Sequence, residues 1–286
     1  MSPHSSKKYH PNDETLFGLF PEEIASTLYK TPAYRGKQLF QWIQRGIGSY
    51  DEMLNIPKVL REELAALYGE VPMTSRVIRQ SSDDDGTVKL LIELRDSQVI
   101  EAVLLADEEG RRTACLSSQA GCAMGCTFCR TAGMGFRRDL TAAEIVEQFH
   151  HLSAISGRPA NIVFMGMGEP LENTRALFRA IRIFHHPEGL NIGARKMTVS
   201  TCGIVPGIRA MADSLEIPVR LAISLNATDD PLRSTIMPVN NAYPLDQLQQ
   251  AVRHFQQNGG KRITFEYVLL GGMNDSAEAL EGLIAL

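Results

Sequence analysis

The feature that most constrains this chain is a short loop that carries three of its five cysteines. Cys122, Cys126 and Cys129 follow one another at spacings of four and three residues, with glycine and alanine among them. Thiolates are soft ligands, and thiols this close in sequence fit a loop folded around one inorganic centre, namely an iron–sulfur cluster, zinc or copper(I). Buried structural cysteines are the plain alternative, but core cysteines have no reason to cluster on a glycine-containing loop.

Zinc is the main competitor of an iron–sulfur cluster. A structural zinc site normally takes four protein ligands, often as two separated pairs, whereas this chain has three close thiols and no second CxxC. The nearest downstream histidines, His150 and His151, fall in a predicted amphipathic helix, where a solvated or packed face is the simpler interpretation. A cluster held by three cysteines would leave one iron open to a small molecule, so the spacing favours the cluster and keeps zinc as an alternative.

Composition and charge narrow the class of protein. The 286 residues are 44% hydrophobic and 22% charged, as in a globular protein with one large domain or a core with a small appendage. No apolar run approaches the ~20 residues of a membrane span, and nothing at the N-terminus resembles a signal peptide, so we expect a cytoplasmic protein with reduced thiols. The net charge of −4 does not indicate a nucleic-acid partner, so RNA binding would need local basic patches.

The chain before residue 111 is predicted to have three parts. Residues 1–15 are polar and predict a disordered arm. Residues 16–70 show helical periodicity, with an apolar face that includes Trp42, which is predicted in the core. Residues 71–110 are rich in β-branched side chains and turn signals, which predict a small antiparallel extension. Its strands are predicted at 73–80, 87–95 and 98–105.

From residue 111 to 286, predicted strands and helices alternate. The strands are predicted at 113–117, 161–165, 196–200, 218–224 and 262–269. The helices are predicted at 141–155, 173–184, 205–214, 244–257 and from 276 onwards. The first of these helices opens with a capping box, in which Thr141 is followed three residues later by Glu144. The alternation predicts an α/β fold with parallel strands and right-handed crossovers, and five units are too few for a closed eight-stranded barrel.

Polar or glycine-rich stretches follow four of the predicted parallel strands. They are the cysteine loop and residues 166–170, 200–203 and 224–226. Taken singly, each could be an ordinary turn or a helix cap. Ligands of parallel β/α folds gather at the carboxyl ends of the strands, so the four stretches together predict one active site along that rim.

With these blocks in place, the chain resembles the radical S-adenosylmethionine (SAM) superfamily, whose signature is CxxxCxxC, and more closely the RlmN/Cfr family of RNA adenine methyltransferases. The resemblance rests on residues 34–42, 115–122, 166–171, 200–203, 221–225, 264–268 and 274–275. It implies a partial (βα)6 barrel at 111–286, whose last unit is missing here. It also implies a helical RNA-recognition domain at 16–70 and a β extension or linker at 71–110.

The resemblance implies two cofactors and the residues that hold them. Cys122, Cys126 and Cys129 would hold a four-iron–four-sulfur cluster, whose open iron takes the amino and carboxylate groups of SAM. Gly168 and Glu169 would meet the methionine amino group. The remaining cofactor contacts would come from Ser200, Ser224, Leu225 and Asn226. The family usually has histidine at position 226, and because asparagine does not titrate, we do not expect proton transfer there.

The same resemblance implies roles on RNA for four further residues. Cys115 would resolve a covalent enzyme–RNA adduct by forming a disulfide with a second cysteine, and Glu101 would accept a proton. In the family, one SAM methylates a cysteine near the C-terminus, and a radical from a second SAM activates that methyl group before it adds to adenine. Arg35 and Lys37 would contact the RNA backbone, whereas Cys202 is interpreted as a packing residue.

The activity implied by the resemblance is methylation of adenine C2 in 23S rRNA and in tRNA, with a flavodoxin-like or ferredoxin-like reductant, by a monomer that needs no membrane. Methylation of adenine C8, or a non-catalytic remnant that binds a cluster or RNA, stays open. In the family the methylated cysteine lies beyond a sixth strand, and no cysteine follows Cys202 here. The sequence is then either truncated or a degenerate relative. We expect the 286 residues alone to bind cofactors without completing methyl transfer.

Overall fold

The computed structural model describes residues 15–28, 31–258 and 263–285. The predicted disordered arm at 1–15 lies outside the described residues except for Thr15. None of the described helices is long and apolar enough to cross a membrane.

The N-terminal part is helical, as its periodicity predicted. It contains α1 (Pro21–Thr27), α2 (Ala33–Ile43) and α3 (Lys58–Tyr68). Gly36 allows α1 and α2 to approach closely, because a Cβ atom there would collide with the Pro21 carbonyl. Trp42 packs against the core but is only partly buried, so the prediction of a core position was wrong. Its indole N–H donates to Asn55 Oδ1 (2.6 Å) near the surface, which keeps one edge of the ring outside the core.

One mixed sheet organises the rest of the described chain. Its strands are β1 (Arg76–Ser82), β2 (Val88–Glu93), β3 (Val99–Ala106), β4 (Arg112–Cys115), β7 (Asn161–Phe164), β8 (Met197–Thr201), β9 (Arg220–Ser224) and β10 (Ile263–Glu266), in this spatial order. The first four run antiparallel, and β4, β7, β8, β9 and β10 run parallel. The predicted α/β fold without a closed barrel is therefore confirmed. Each predicted strand also begins and ends within three residues of the observed strand.

The antiparallel strands are not a separate layer. β3 pairs with β4, with Val103 opposite Cys115, so the predicted extension continues directly into the parallel sheet. This continuity matters for the site, because side chains on β3 and β4 share a face of the sheet that also carries side chains from the parallel strands.

The helices cover the other face of the parallel strands. They are α4 (Ala142–Ser156), α5 (Thr174–His185), α6 (Val205–Ser214) and α8 (Leu245–Gln257), while α9 (Ala277–Ala285) follows β10 and has no buried residue. The predicted capping box of α4 forms, since Glu144 N donates to Thr141 Oγ1 (3.1 Å) and Thr141 N donates to Glu144 Oε2 (2.9 Å). Alternation along the strands sends residues such as Phe164, Val199 and Ile223 into the core beneath the helices. The opposite face keeps polar side chains.

Two elements near the site were not predicted from the sequence. A two-stranded ribbon, β5 (Gln119–Gly121) and β6 (Phe136–Asp139), brackets the cysteine loop. A short helix, α7 (Asp230–Ile236), fills the connection between β9 and α8. The ribbon requires glycine at position 121, where φ is +78° and a Cβ atom would collide with the Gly135 carbonyl.

The buried face of α4 joins the helical N-terminal part to the sheet. Glu147 is fully buried and accepts hydrogen bonds from Thr74 N (3.0 Å) and Ser75 N (2.8 Å), and from the Thr15 hydroxyl (3.4 Å). His150, on the same helix, packs against the ring of Phe17 at a centroid distance of 5.0 Å. The packed interpretation of this histidine face is therefore the one that the structure supports.

Candidate active site

A cavity of about 470 Å³ lies where the parallel strands end at their carboxyl termini. It brings together eight of the residues that the sequence suggested for a cofactor site. They are Cys122, Cys126, Cys129, Gly168, Glu169, Ser200, Ser224 and Asn226. Met124, Phe128 and Met165 contribute apolar wall next to these groups. The predicted clustering of the strand-end stretches is thus present in the structure.

Backbone hydrogen bonds hold the cysteine loop in place. Cys122 N donates to Gly135 O (3.2 Å), Thr127 N donates to Ile236 O (2.9 Å), and Cys129 N donates to Cys126 O (3.1 Å). Gly125 makes the turn between the first two cysteines with a φ of +70°. The loop is therefore tied to the ribbon, to α7 and to itself, and its three thiols line the same cavity.

The donor set of this loop fits a soft cationic centre. Burial, together with repulsion by the neighbouring Cys122 and Cys129, raises the pKa of Cys126 to about 11. Burial likewise raises the pKa of Cys122. Thiolates at Cys122 and Cys126 are thus disfavoured here unless a cation binds them, and an iron–sulfur cluster or metal ion would supply that charge.

Cys202 also lines the cavity but does not extend the three-thiol set. It is buried, its thiol is hydrogen-bonded to Glu169, and its backbone N–H donates to Glu169 Oε2 (2.8 Å). Among the described residues that line the cavity there is no histidine. The lining therefore offers no histidine as the fourth ligand of a zinc ion.

Glu169 is fixed opposite the cysteine loop. Its side chain is 4% exposed, and Oε1 accepts a hydrogen bond from Leu171 N (3.0 Å) while Oε2 accepts from Cys202 N. Burial raises the pKa of this carboxyl. Gly168 precedes it with a φ of +98°, and a Cβ atom there would lie 2.5 Å from Gln119 Cβ. The pair therefore presents a pre-positioned carboxylate that suits a cationic amino group.

Two serines of the site share one carboxylate that the sequence reasoning did not single out. Ser200 Oγ donates to Glu266 Oε2 (2.9 Å), and Ser224 Oγ lies 3.5 Å from the same oxygen. Glu266 is opposite Ser224 in the pairing of β9 with β10 and lines the cavity. Strand alternation could have placed Glu266 on a polar face of the sheet. The register between β9 and β10, which brings Glu266 to the serines, cannot be predicted from the residues around it.

Asn226 and Leu225 occupy different positions relative to the cavity. Asn226 lines it with a φ of +58°, a conformation that asparagine tolerates, and its Oδ1 accepts from Val268 N (2.9 Å). The Leu225 side chain is 3% exposed and is not part of the cavity wall. Its carbonyl accepts a hydrogen bond from Arg233 Nε (3.0 Å), which ties this backbone segment to α7.

Cys115 and Glu101 lie next to the cavity rather than in its wall. Cys115 is opposite Val103 on β3 and Val163 on β7, and burial raises its pKa to about 11, with Glu266 contributing by repulsion. Glu101 is two residues before Val103, so it shares a face with Cys115 about 7 Å along the strand. Lys89 Nζ forms an ion pair with Glu101 Oε1 at 3.4 Å.

The two residues predicted to contact RNA both have partners within the chain. Lys37 Nζ pairs with Glu188 Oε1 at 3.2 Å, and its side chain is 60% exposed. Arg35 Nη1 donates to Gln38 Oε1 (2.7 Å) and to Asn55 O (3.0 Å). Both lie on α2, away from the residues that line the cavity.

A parallel β/α sheet with a three-cysteine loop after its first parallel strand, opposite a fixed glutamate, defines a radical SAM protein. A family model described as the radical SAM superfamily matches residues 116–283, and one described as the ribosomal RNA large subunit methyltransferase N-terminal domain matches residues 26–68. The chain belongs to the RlmN family of this superfamily. The RlmN/Cfr resemblance is confirmed on the RlmN side, and membership implies a four-iron–four-sulfur cluster and SAM as cofactors.

Relatives support the assignment over most of the chain. A probable dual-specificity RNA methyltransferase RlmN from Moorella thermoacetica is 46% identical, with 95% of this chain and 79% of that protein covered. The dual-specificity RNA methyltransferase RlmN of a Sulfurovum species is 42% identical, with 94% and 78% covered. The crystal structure of a radical SAM methyltransferase from Sphaerobacter thermophilus matches with a TM-score of 0.88 at 41% identity, with 95% and 81% covered.

Proposed function

We propose that this protein is a radical SAM RNA methyltransferase that methylates adenine C2 in 23S rRNA and in tRNA. One observation carries the proposal: the three loop thiols, Glu169 and the serines of β8 and β9 all line the same cavity. Relatives named dual-specificity RNA methyltransferase RlmN, at 40–46% identity, support RNA as the substrate.

In this proposal each group of cavity residues has one task toward the cofactors. Cys122, Cys126 and Cys129 hold the cluster, and Glu169 receives the amino group of SAM with Gly168 giving it room. Ser200 and Ser224, ordered by Glu266, and the Leu225–Asn226 backbone contact the rest of SAM. When bound, the cluster and SAM supply radical chemistry, which an unactivated aromatic C2 position needs.

Cys115 and Glu101 act on the RNA side of the site. The raised pKa of Cys115 keeps it a thiol at neutral pH, so a base must take its proton before it attacks an adduct with RNA. Glu101 shares the face of β3 with Val103, next to Cys115, and is proposed as the proton acceptor on this side of the site. The ion pair with Lys89 orients its carboxylate.

The proposal extends to partners and organisation. RNA would contact Arg35 and Lys37 on the helical domain at 16–70, with 71–110 as a β extension and 111–286 as the radical SAM core. A flavodoxin-like or ferredoxin-like protein would supply electrons to a monomer in the cytoplasm. Exchanging Lys37 and Arg35 for glutamate should weaken RNA binding and flatten its dependence on salt; unchanged affinity and slope would refute that assignment.

Anaerobic reconstitution followed by metal analysis tests the cofactor part of the proposal. We expect about four irons per chain, lost in Cys126→Ala because three thiolates are needed to hold the cluster. Cys202→Ser is the matched control and should keep its iron, since its thiol faces Glu169. Stoichiometric zinc without iron in the unaltered protein would overturn the assignment.

The methylated position is tested with the protein purified from its native host. Incubation with 23S rRNA and tRNA, methyl-labelled SAM and a reductant should yield 2-methyladenosine in nuclease digests analysed by mass spectrometry. Finding 8-methyladenosine instead would move the protein to the C8 activity. Labelled adenosine at neither position, from a preparation with a full cluster, would contradict RNA methylation.

A further inference from the structure

Arg233 on α7 is a fully buried cation behind the candidate site. Its exposure is 0%, and all three guanidinium nitrogens donate hydrogen bonds. Nη2 donates to Cys202 O (2.7 Å) and Ser224 O (3.2 Å), and Nε donates to Leu225 O. Its guanidinium therefore joins the carboxyl ends of β8 and β9 beneath the cavity.

None of the acceptors of this guanidinium is charged. Besides the three carbonyls, Nη1 donates to the amide oxygen of Asn240 (2.9 Å), and Asn240 in turn donates to Asp230 Oδ1 (2.9 Å). Across the described residues, no carboxylate oxygen comes within ion-pair distance of Arg233. Asp230 reaches the guanidinium only through Asn240. A buried charge without a direct ion pair is costly, so further negative charge near the guanidinium would stabilise it.

The cysteine loop packs against α7, and its cysteines would be negatively charged as thiolates that hold a cluster. The backbone of Thr127, inside the loop, donates to the carbonyl of Ile236 at the end of α7. Cys202 and Ser224, whose carbonyls accept hydrogen bonds from Arg233, line the same cavity as the three cysteines of the loop. Gly203 leaves room for the guanidinium, since a Cβ atom there would lie 3.2 Å from Nη2.

We propose that Arg233 is a positioning residue whose buried charge stabilises the reduced form of the cluster held by the cysteine loop. The inference rests on the proposed function. In the step concerned, a low-potential donor gives the cluster one electron, no proton moves, and the cluster with its three thiolates becomes one charge more negative. A fixed, buried positive charge stabilises the more negative, reduced state of the cluster. It therefore raises the reduction potential of the cluster.

Charge and hydrogen bonding can be separated by substitution. Arg233→Gln keeps a donor but removes the charge, Arg233→Lys keeps the charge but loses the fork of hydrogen bonds, and Arg209→Gln removes an exposed arginine on α6 as a control. Asp230→Asn removes a negative charge linked to Arg233 through Asn240, and it keeps an oxygen for its hydrogen bonds. This last change leaves the buried arginine in place, so it is informative even if the Arg233 variants unfold.

The experiment is a redox titration of the reconstituted cluster without RNA, followed by electron paramagnetic resonance. Iron content and thermal unfolding are measured on the same samples. We expect Arg233→Gln to lower the equilibrium constant for reduction roughly tenfold, Arg233→Lys to change it much less, and Asp230→Asn to raise it. Arg209→Gln should match the unaltered protein.

The outcomes distinguish this inference from the proposed function. An unchanged potential in Arg233→Gln with full iron, an equal fall in the Gln and Lys variants, or no rise in Asp230→Asn would overturn the electrostatic role. Absence of a four-iron cluster in the unaltered protein would instead refute the proposed function itself.

Discussion

At the scale of single residues, Gly168 shows how a backbone requirement fixes a chemical group. Its φ of +98° and its contact with Gln119 leave no space for a side chain, and the Glu169 N–H next to it donates to Gln119 Oε1 (2.8 Å). The carboxylate of Glu169 thus depends on a neighbour that has no functional group of its own.

Gly168→Ala is expected to lower the free energy of unfolding by about 1–3 kcal/mol, because alanine is strained at this φ and collides with Gln119. Affinity for SAM should fall as well, since Glu169 must move. Gly133→Ala is the matched control, as a Cβ atom there meets nothing within 4 Å. Denaturant unfolding and calorimetric titration of the reconstituted protein measure both effects, and equal behaviour of the two variants would contradict this account.

Glu266→Gln is expected to make Cys115 more reactive. Burial is the main reason that the pKa of Cys115 is raised to about 11, and the charge of Glu266 adds to it, so removing that charge should lower the pKa. Alkylation of Cys115 by iodoacetamide at pH 8–9, followed by peptide mass spectrometry, should then be faster. Glu216→Gln, at an exposed position, controls for general changes. A slower or equal rate in Glu266→Gln would show that its charge does not act on this thiol.

At the scale of elements, α4 carries a histidine that is buried uncharged. Burial lowers the pKa of His150 from 6.5 to about 3, and His151 adds a smaller effect in the same direction. Below pH 6.5 the unfolded chain binds a proton that the folded chain does not. This residue's contribution to stability is therefore complete above that pH and is lost as the pH falls towards 3.

His150→Phe should consequently flatten the pH dependence of stability. Between pH 6 and 4 the free energy of unfolding of the unaltered protein should fall more steeply, by up to about 1.4 kcal/mol per pH unit. The ring would still pack against Phe17, and no hydrogen bond of Nε2 is lost. Urea unfolding at several pH values measures the two slopes, and identical slopes would count against a neutral buried His150.

Regular elements were predictable from the sequence where periodicity and caps agreed. Thr141 and Glu144 form the expected capping box. The predicted alternation of strands and helices includes every parallel strand of the structure. The seven-residue helix α7 was missed because its polar, proline-containing sequence resembles a loop. Arg233 was missed with it, since burial of a lone arginine depends on how distant strand ends meet.

Some residues of the candidate site could likewise be predicted from the sequence, and others could not. Spacing identified the cysteine loop, and strand ends identified Glu169, Ser200 and Ser224, all of which line one cavity. Glu266 could not be found without the pairing register. The roles of Cys115 and Glu101 came from the family resemblance, and so did the RNA contacts of Arg35 and Lys37. The domain boundaries came from composition and periodicity along the chain. All of these stay predictions.

At the scale of the whole molecule, hydrogen bonds to Glu147 connect the segments before β1 to helix α4 of the core. Glu147→Gln should lower the free energy of unfolding by about 2–4 kcal/mol, because the new amide group cannot accept the N–H groups of both Thr74 and Ser75. Glu62→Gln, in an exposed pair with Lys58, should cost far less. Equal losses in chemical unfolding would show that these hydrogen bonds contribute little.

The two serine contacts of Glu266 have a consequence for the dynamics of the sheet. β10 pairs only with β9 among the described strands, so its amide protons should exchange with deuterium faster than those of β8, which has a strand on each side. Glu266 joins β10 to Ser200 across β9. A ligand that binds Glu266 and the serines would therefore also slow the opening of β10. Loading with SAM should therefore appear as protection at Ile263–Glu266, and unchanged exchange there would separate cofactor binding from the order of the strand.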